Sequence, residues 1–391
     1  MSNKTITWAL PLFLLGACSV HQQGLPVTGC AEEMEITNSG YSKAAALKQA
    51  MGRLTKSGVP GCAMAVYSEE GWWAGAAGLA KIEGNVSMQT CHLQYLQSVA
   101  KSYMAVAVLK LYEQGRVNLD APFTEYMPEK YSRFVADAGK ITVRMLLNHT
   151  SGVPEYNFSP AYVTYLLQHP DHIFSPEDYL KYIEGKPLDF EPGSRYAYRN
   201  TNYVLLALMT DALTGDHARF MSETIFAPLG LSHTFYRSQP GYLSYPELAN
   251  AYWDRYSDGV LENASPLQRS NVASLAGDDG IVATPVEAVK FLKGLMEGEL
   301  LAPSTLEQMQ TWVLDKKGFP RYGLGLGHDT ILGQAAIGHS GGGIGAGCEL
   351  RYFPEKKLYV FIAINLGTVT DSPLHVEASK ARDELFEVLL R

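Results

Sequence analysis

The sequence predicts an α+β fold: one mostly antiparallel β-sheet flanked by helices, with a largely helical region inserted between two strand-forming ends. Towards the N-terminus, an apolar run over 62–67, a turn at Glu70-Gly71 and a second run over 72–80 predict a β-hairpin. Towards the C-terminus, the segments 349–353 and 358–365 flank a second turn, and the apolar second segment indicates a central strand. Residues between these ends have a mixed, mainly helical pattern.

The predicted helices have recognisable ends. An apolar stretch over 104–112 predicts a long helix that stops at Gly115, a residue type that favours helix C-termini. The segment 175–178 reads Ser-Pro-Glu-Asp, which supplies a capping serine, a proline at the first helical position and acids in the first turn. Further helices are expected over 201–213 and 376–390.

Composition excludes some partners. The chain has 391 residues, of which 46% are hydrophobic and 18% charged, so it has enough apolar material for a large core. Its net charge is −8 and it has no run of Lys or Arg, which argues against nucleic acid as a partner. After the N-terminus, no apolar stretch approaches the roughly 20 residues that cross a bilayer.

The N-terminus has the pattern of an export signal. Lys4 precedes an apolar run over 6–15, which ends in Leu-Gly-Ala and Cys18. This ending resembles the bacterial lipoprotein box, in which Cys18 is lipidated, and it predicts a signal peptide over 1–18 and a polar tether over 19–40. A cleaved signal without lipid and a buried N-terminal helix are the alternatives. Contact with a membrane is expected only through this anchor, in a periplasmic or cell-envelope location.

The other four cysteines leave the redox chemistry open. Cys30, Cys62, Cys91 and Cys348 are an even number in an exported chain, so up to two disulfides are possible, with three ways of pairing all four. Buried free thiols are the alternative. None has metal-ligand spacing with histidine.

Three short motifs carry the candidate chemistry. The first is Ser98-x-x-Lys101, at the start of the predicted 104–112 helix. Residues three apart share a helix face, which places the lysine amine near the serine hydroxyl. A serine needs such a neighbouring base to become a nucleophile. Alone the motif is weak, because a solvated helix face often has the same pattern.

The second motif is Tyr198-x-Asn200, just before the predicted 201–213 helix. A phenol near a lysine loses its proton more easily, so Tyr198 is a candidate general base. Asn200 is a candidate for binding a substrate carbonyl or for fixing Lys101. A tyrosine-rich turn without function is the alternative.

The third motif is Gly338-His339-Ser340-Gly341-Gly342-Gly343. A glycine-rich strand edge lets a substrate approach backbone N–H groups, and these are candidates for an oxyanion hole together with the N–H of Ser98. His339 adds a titratable or hydrogen-bonding group. An ordinary glycine-rich turn is the alternative.

Together and in this order, the three motifs resemble those of the serine β-lactamase and penicillin-recognising superfamily. The resemblance is to its class C-related branch of D-alanyl-D-alanine carboxypeptidases, D-aminopeptidases and esterases, and it extends over about residues 45–390. Landmarks such as 141–152 and 228–231 support it. It implies a β-lactamase/transpeptidase-like domain over 41–391, with an α/β region (41–115 and 280–391) and a mainly helical region (116–279). His149, within the first landmark, is interpreted as structural.

The resemblance implies an acyl-enzyme mechanism without metal or organic cofactor. Ser98 attacks an amide or ester carbonyl while Lys101 and Tyr198 relay its proton, and the N–H groups of Ser98 and Gly342 hold the oxyanion. Which of Lys101 and Tyr198 is the acylation base stays open. The resemblance also implies that Asn200, together with the residues of the third motif, binds substrate: His339, Ser340 and Gly341.

One departure bears on the substrate. Class C β-lactamases usually have Lys-Thr-Gly at the third motif, and a neutral histidine lacks the fixed positive charge of that lysine. We therefore expect an exported serine hydrolase that acts on D-amino-acid peptides or cell-wall fragments, similar to a D-alanyl-D-alanine carboxypeptidase. An esterase, a weak β-lactamase and a penicillin-binding module with little turnover are the alternatives. The expected partner is a small-molecule or peptide substrate.

Overall fold

The structure, a computed structural model, describes residues 24–30 and 38–391. The predicted signal peptide and Cys18 lie outside the described residues, as do residues 19–23 and 31–37 of the predicted tether.

A nine-stranded antiparallel sheet organises the described chain, in the order β3-β2-β1-β14-β13-β12-β11-β10-β9. Its strands are β1 (Gly61–Ser68), β2 (Gly71–Lys81), β3 (Val86–Ser87), β9 (Val313–Leu314), β10 (Pro320–Tyr322), β11 (Gly327–Ile331), β12 (Gln334–Gly342), β13 (Gly347–Phe353) and β14 (Leu358–Ile364). Two smaller sheets contain β4 (Gln94–Tyr95), β5 (Thr234–Phe235) and β8 (Val282–Ala283), and β6 (Tyr252–Trp253) and β7 (Glu262–Asn263).

The two hairpins predicted from the sequence meet in the middle of this sheet, where β1 pairs with β14. Both strands are buried on both faces. In β14, Val360 and Ile362 pack into one hydrophobic core, whereas Tyr359 and Phe361 pack into the other. Burial on both faces explains why β14 is apolar at every position, and it confirms the predicted central strand.

Helices cover both faces of the sheet and fill the inserted region. They are α1 (Ala44–Lys56), α2 (Ala100–Glu113), α3 (Glu129–Ser132), α4 (Val143–Leu147), α5 (Pro160–Gln168), α6 (Pro176–Lys181), α7 (Asn200–Thr214), α8 (His217–Met221), α9 (Ser265–Ser274), α10 (Pro285–Met296), α11 (Pro303–Met309) and α12 (Pro373–Leu390). Helices α1 and α12 contribute to one core, whereas α2, α7 and α10 contribute to the other. The predicted α+β architecture is confirmed.

Helix α2 is buried on all sides, which fits an apolar sequence without a polar face. Its first turn carries Lys101, which is 0% exposed. A fully buried lysine needs hydrogen-bonding partners, because burying an unpaired charge is costly. The start of α2 is therefore a candidate functional site.

Part of the predicted tether lies against the folded domain instead of extending freely. The N–H of Thr28 donates to the carbonyl of Pro246 at 2.9 Å, and Cys30 forms a disulfide with Cys91. Residues 24–30, part of the predicted tether, are thus attached to the folded domain at Thr28 and Cys30. Cys62 and Cys348 are buried free thiols, so of the described cysteines two are paired and two follow the alternative.

Within the part of the chain that the structure describes, no helix has the length and apolar character needed to span a bilayer.

Candidate active site

Ser98 lies in a short 3-10 turn, Gln97–Val99, that leads directly into α2. The sequence placed it in the first turn of the helix, so the position differs by one short turn. The predicted proximity is confirmed, since Lys101 Nζ lies 3.0 Å from Ser98 Oγ. Lys101 Nζ also donates to the main-chain carbonyl of Asp278 at 2.8 Å. This second contact points the amine at the serine.

The electrostatic surroundings favour a neutral Lys101 amine more than water does. Burial lowers the pKa of Lys101, and the nearby carboxyl groups of Asp278, Asp279 and Glu155 partly offset this shift. A lysine with a lowered pKa, hydrogen-bonded to a serine hydroxyl, is suited to accept the proton of that hydroxyl.

Tyr198 completes the cluster from the loop before α7. Its ring centroid lies 5.0 Å from Lys101 Nζ. The side chain is half-buried, and its buried hydroxyl lies beside Ser98 without reaching hydrogen-bond geometry there or with any other described residue. Burial raises the pKa of Tyr198 well above its usual value, and the adjacent Ser98 only partly offsets this rise. This direction is opposite to the lowering of the Tyr198 pKa that was expected from Lys101, and burial is its main cause.

The residue before the nucleophile candidate has a strained backbone. Gln97 has φ +50°, although it is not glycine, and it is 1% exposed. Such conformations persist where the surroundings enforce them, often at functional sites. Here strand β12 packs on the turn: a Cβ on Gly341 would lie 2.5 Å from the Leu96 carbonyl oxygen and 2.7 Å from Gln97 Cβ. Gly341 thus allows the close approach of β12 to Ser98.

The end of β12 has one free edge. Gly338 is the last residue that pairs with β11, whereas pairing with β13 continues to Gly342. Residues 339–342 therefore have strand partners on one side only. This geometry agrees with the predicted glycine-rich strand edge.

His339 lies inside the protein near this edge. It is 5% exposed, its Nδ1 donates to the Ser340 carbonyl at 2.6 Å, and its Nε2 accepts from the Tyr322 hydroxyl at 2.8 Å. Burial lowers the pKa of His339 to about 3. It is therefore neutral at physiological pH and hydrogen-bonds within the protein, which corrects the alternative of a titratable group.

A cavity of about 720 Å³ opens in front of Ser98. Of the predicted site residues, Ser98, Asn200 and Gly342 line it, whereas Lys101 and Tyr198 lie behind Ser98. Three others do not line the cavity: His339, Gly341 and the exposed Ser340. The hydrogen bonds of Lys101 Nζ among the described residues go to Ser98 and Asp278, and none goes to Asn200.

An acidic pair on the cavity wall was not predicted from the sequence. Asp278 and Asp279 line the cavity and are 2% and 6% exposed. Asp278 accepts from the Tyr156 hydroxyl at 3.0 Å, and burial raises the pKa of both carboxyl groups. The available signal was the tetrapeptide Gly277-Asp278-Asp279-Gly280, in which both glycines have positive φ. Two acids between two glycines indicate a tight turn.

Glu155, also missed, connects the cavity wall to the start of α7. It is 4% exposed and accepts hydrogen bonds from the backbone N–H of Asn200 and, at 3.4 Å, of Asn157. Burial raises the pKa of Glu155 to about 7, and the two N–H groups partly offset this shift. The carboxyl group thus holds the segment that carries Tyr198 and Asn200.

The raised pKa of Glu155 predicts that the stability of the protein depends on pH. An unfolded glutamate has a pKa of about 4.3, so between pH ~4.3 and ~7 the folded protein holds a proton that the unfolded chain has lost. The contribution of Glu155 to stability therefore falls as pH rises through this window. We expect the melting temperature of Glu155→Gln, relative to wild type, to rise by a few degrees between pH 5 and pH 8. The exposed Glu184→Gln is the control. A difference that stays constant or falls would contradict the assignment.

His149 supports the Tyr198 segment from below. It is fully buried, its Nδ1 accepts from the N–H of Arg199 and from Asn202 Nδ2, both at 3.2 Å, and its ring centroid lies 4.4 Å from that of Tyr198. These contacts agree with the structural interpretation of His149.

One group of described residues has the proximity for metal binding: Cys30, Cys91 and His92. The two cysteines form a disulfide, so they cannot supply the thiolates that a metal site would need. The group therefore belongs to the attachment of the N-terminal segment.

Residues 44–379 match the family described as Beta-lactamase. The chain belongs to this family. Its relatives place it in the β-lactamase and penicillin-binding protein superfamily, which the three motifs resemble.

Known relatives divide among several activities. D-alanyl-D-alanine-carboxypeptidase/endopeptidase AmpH of Escherichia coli is 25% identical over 334 residues, which are 81% of each chain. Esterase EstB of Burkholderia gladioli is 34% identical over 163 residues, 40% of this chain and 41% of the relative. The structure of a D-stereospecific amidohydrolase from Streptomyces sp. has a TM-score of 0.73 and 26% identity, covering 85% of this chain and 97% of the other. Some of the curated relatives that this chain matches are longer, and the chain spans half or less of their length.

Proposed function

We propose that Ser98 forms an acyl-enzyme with amides of D-amino acids and D-amino-acid peptides, including cell-wall fragments. The observation that carries this proposal is the 3.0 Å contact between Lys101 Nζ and Ser98 Oγ, behind a cavity that Ser98 lines.

In the proposed acylation step, Ser98 Oγ attacks the substrate carbonyl carbon and its proton passes to Lys101 Nζ. Lys101 is the better acylation base, because burial lowers its pKa and raises that of Tyr198. Developing charge on the carbonyl oxygen would be held by the N–H groups of Ser98 and Gly342, which line the same cavity.

Tyr198 completes the proton transfers in this scheme. As the carbonyl carbon–nitrogen bond breaks, the tyrosine hydroxyl donates its proton to the leaving amine, and Lys101 returns a proton to the tyrosine oxygen. Water then attacks the acyl-enzyme, its proton returns through the same groups, and Ser98 is released. The unpartnered Tyr198 hydroxyl supports this role, since a buried polar group without a partner is otherwise costly.

Charged groups on the cavity wall bear on the substrate. His339 is neutral and does not line the cavity, so it does not supply the positive charge of the lysine that class C β-lactamases usually have at this motif. Arg255 lines the cavity and forms no ion pair with another described residue. It is the available partner for a peptide's terminal carboxylate, which supports a carboxypeptidase-like activity. The relatives AmpH and the Streptomyces amidohydrolase support the same substrate class.

An esterase is the second candidate. The partial match to esterase EstB and the mainly apolar composition of the cavity lining favour it. Because the same nucleophile serves both reactions, the fold does not decide between them.

A substrate panel separates these possibilities: an acylated D-Ala-D-Ala peptide, a D-amino-acid amide, a p-nitrophenyl ester and a chromogenic cephalosporin. We expect steady turnover of the peptide or the amide at a higher kcat/KM than that of the cephalosporin. Turnover of the ester alone would support the esterase, and efficient cephalosporin hydrolysis a β-lactamase. A burst followed by almost no turnover on every substrate would indicate a penicillin-binding module.

We further propose that the protein is exported and anchored by a lipid on Cys18. The N-terminal pattern supports export, and a disulfide at Cys30–Cys91 is the kind of bond that persists in an oxidising compartment. Cys18→Ala should move the protein from the membrane fraction of its host to the soluble fraction. Equal membrane fractions for both forms would exclude the lipid anchor.

A further inference from the structure

The cavity extends well beyond the nucleophile, along one face of α5. Tyr162, Val163, Leu166 and Leu167 line it from this helix, and Phe158 lines it from the turn before. Positions 162 and 166, and 163 and 167, are four residues apart and therefore share a helix face. None of these five side chains is charged. We call this set the α5 wall.

The mouth of the cavity keeps large apolar groups in contact with water. The described residues have twelve exposed large hydrophobic side chains, and four of these line this one cavity: Phe158 (71% exposed), Val163 (41%), Tyr256 (68%) and Val369 (57%). Soluble proteins rarely group exposed apolar residues without a function, and such groups commonly mark ligand-binding grooves.

The α5 wall is less polar than the lining around Ser98, although Asn157 and Asn271 lie beside it. The polar residues Asn200, Asp278 and Asp279 line the cavity with Ser98, and the main-chain carbonyl of Asp278 accepts a hydrogen bond from Lys101. The α5 wall has only apolar and phenolic groups. A volume of about 720 Å³ lies in the range of about 300–1,000 Å³ that holds drug-sized ligands. A single D-alanyl group would leave most of this apolar surface wet.

We propose that the α5 wall binds a large apolar group on the acyl side of the scissile carbonyl, a medium-length alkyl chain or an aromatic ring. This inference rests on the proposed function, because it assumes that the carbonyl is attacked by Ser98. It names the substrate class more closely: amides or esters with a large apolar acyl group are preferred over those with a small one.

The first test compares p-nitrophenyl acetate and p-nitrophenyl octanoate, below the concentration at which the octanoate forms micelles. Each methylene that the protein fully buries favours binding by about threefold or more. Because only part of the chain contacts the wall, we expect kcat/KM for the octanoate to exceed that for the acetate by about tenfold or more. Equal or lower values for the octanoate would overturn the inference.

A double variant tests the wall itself. Phe158→Ser with Val163→Asn places polar groups at the wall, and both positions are exposed, so the fold should tolerate them. We expect the octanoate-to-acetate ratio of kcat/KM to fall about tenfold. The matched control is Phe319→Ser with Val376→Asn, at exposed positions that do not line the cavity, and its ratio should equal that of wild type. A ratio unchanged in the wall variant would overturn the assignment to α5.

A binding measurement separates this inference from the proposed mechanism. In Ser98→Ala no acyl-enzyme can form, and we expect calorimetry to show tighter binding of N-octanoyl-D-alaninamide than of N-acetyl-D-alaninamide, by about tenfold. Equal affinities would overturn the inference but would not contradict the assignment of Ser98 as the nucleophile. The opposite pattern is tighter binding of the octanoyl compound without acylation of wild-type Ser98 by any substrate. It would overturn the proposed function and support the assignment of apolar binding to the α5 wall.

Discussion

Ser98→Ala should lower kcat/KM for every hydrolysed substrate by about 10⁴-fold or more, because replacement of a serine nucleophile removes the covalent route altogether. The substitution removes one hydrogen bond, that to Lys101, and leaves the disulfide and both hydrophobic cores in place. The protein should therefore remain folded, with circular dichroism like that of wild type. Steady-state kinetics on the best substrate of the panel gives the measurement.

The exposed Ser87, on β3, provides the control for this change. Ser87→Ala should retain wild-type kinetics. If Ser98→Ala keeps more than about 1% of wild-type activity in a preparation free of other hydrolases, another group is the nucleophile.

Tyr198→Phe should lower kcat by about 100-fold or more, the usual effect of losing a general acid or base. Thermal stability, in contrast, should not fall. The Tyr198 hydroxyl is buried without a partner, and such a group costs about 1–3 kcal/mol, so its removal should leave the melting temperature unchanged or raise it. A variant that is less active and equally or more stable is the signature of a group kept for chemistry.

Tyr245 offers a closely matched control. It is also half-buried with an unpartnered buried hydroxyl, but it packs on Phe235 away from the cavity. Tyr245→Phe should therefore leave kcat unchanged. A loss of less than about threefold in Tyr198→Phe, or equal losses in both variants, would remove Tyr198 from the proton transfers.

The local part of the site was predictable from the sequence because helix geometry is local. Ser98 and Lys101 are three residues apart at the start of an apolar helix, and this spacing alone brings their polar atoms together. Tyr198 required the resemblance to a known family, since nothing in its own segment shows that the segment folds back onto α2. The glycine-rich end of β12 was recognisable from its own residues, because a run of glycines in a strand is a local signal.

What the sequence could not predict depends on tertiary burial. His339 sits in the expected motif, but only the packed structure shows that it is buried, which keeps it in the neutral form, and that it hydrogen-bonds to Tyr322 and to a main-chain carbonyl. The reversal of the expected pKa shift of Tyr198 has the same origin, because desolvation depends on the whole fold. Asp278 contacts Lys101 across 177 residues through its main chain, which no side-chain pattern can show.

The disulfide illustrates the same limit. Four cysteines permitted several pairings, and the choice of Cys30 with Cys91 depends on the path of residues 24–30 along the folded domain. Polar composition suggested a free tether for that segment, whereas the hydrogen bond of Thr28 to Pro246 fixes it in place.

The most direct test of the central claim, that Ser98 is the nucleophile of this cavity, is peptide mapping by mass spectrometry after incubation with a fluorescent penicillin. We predict a single adduct of the mass of the penicillin, located on Ser98 in the wild-type protein and absent from Ser98→Ala. An adduct on a different residue, or one that persists in Ser98→Ala, would contradict the account.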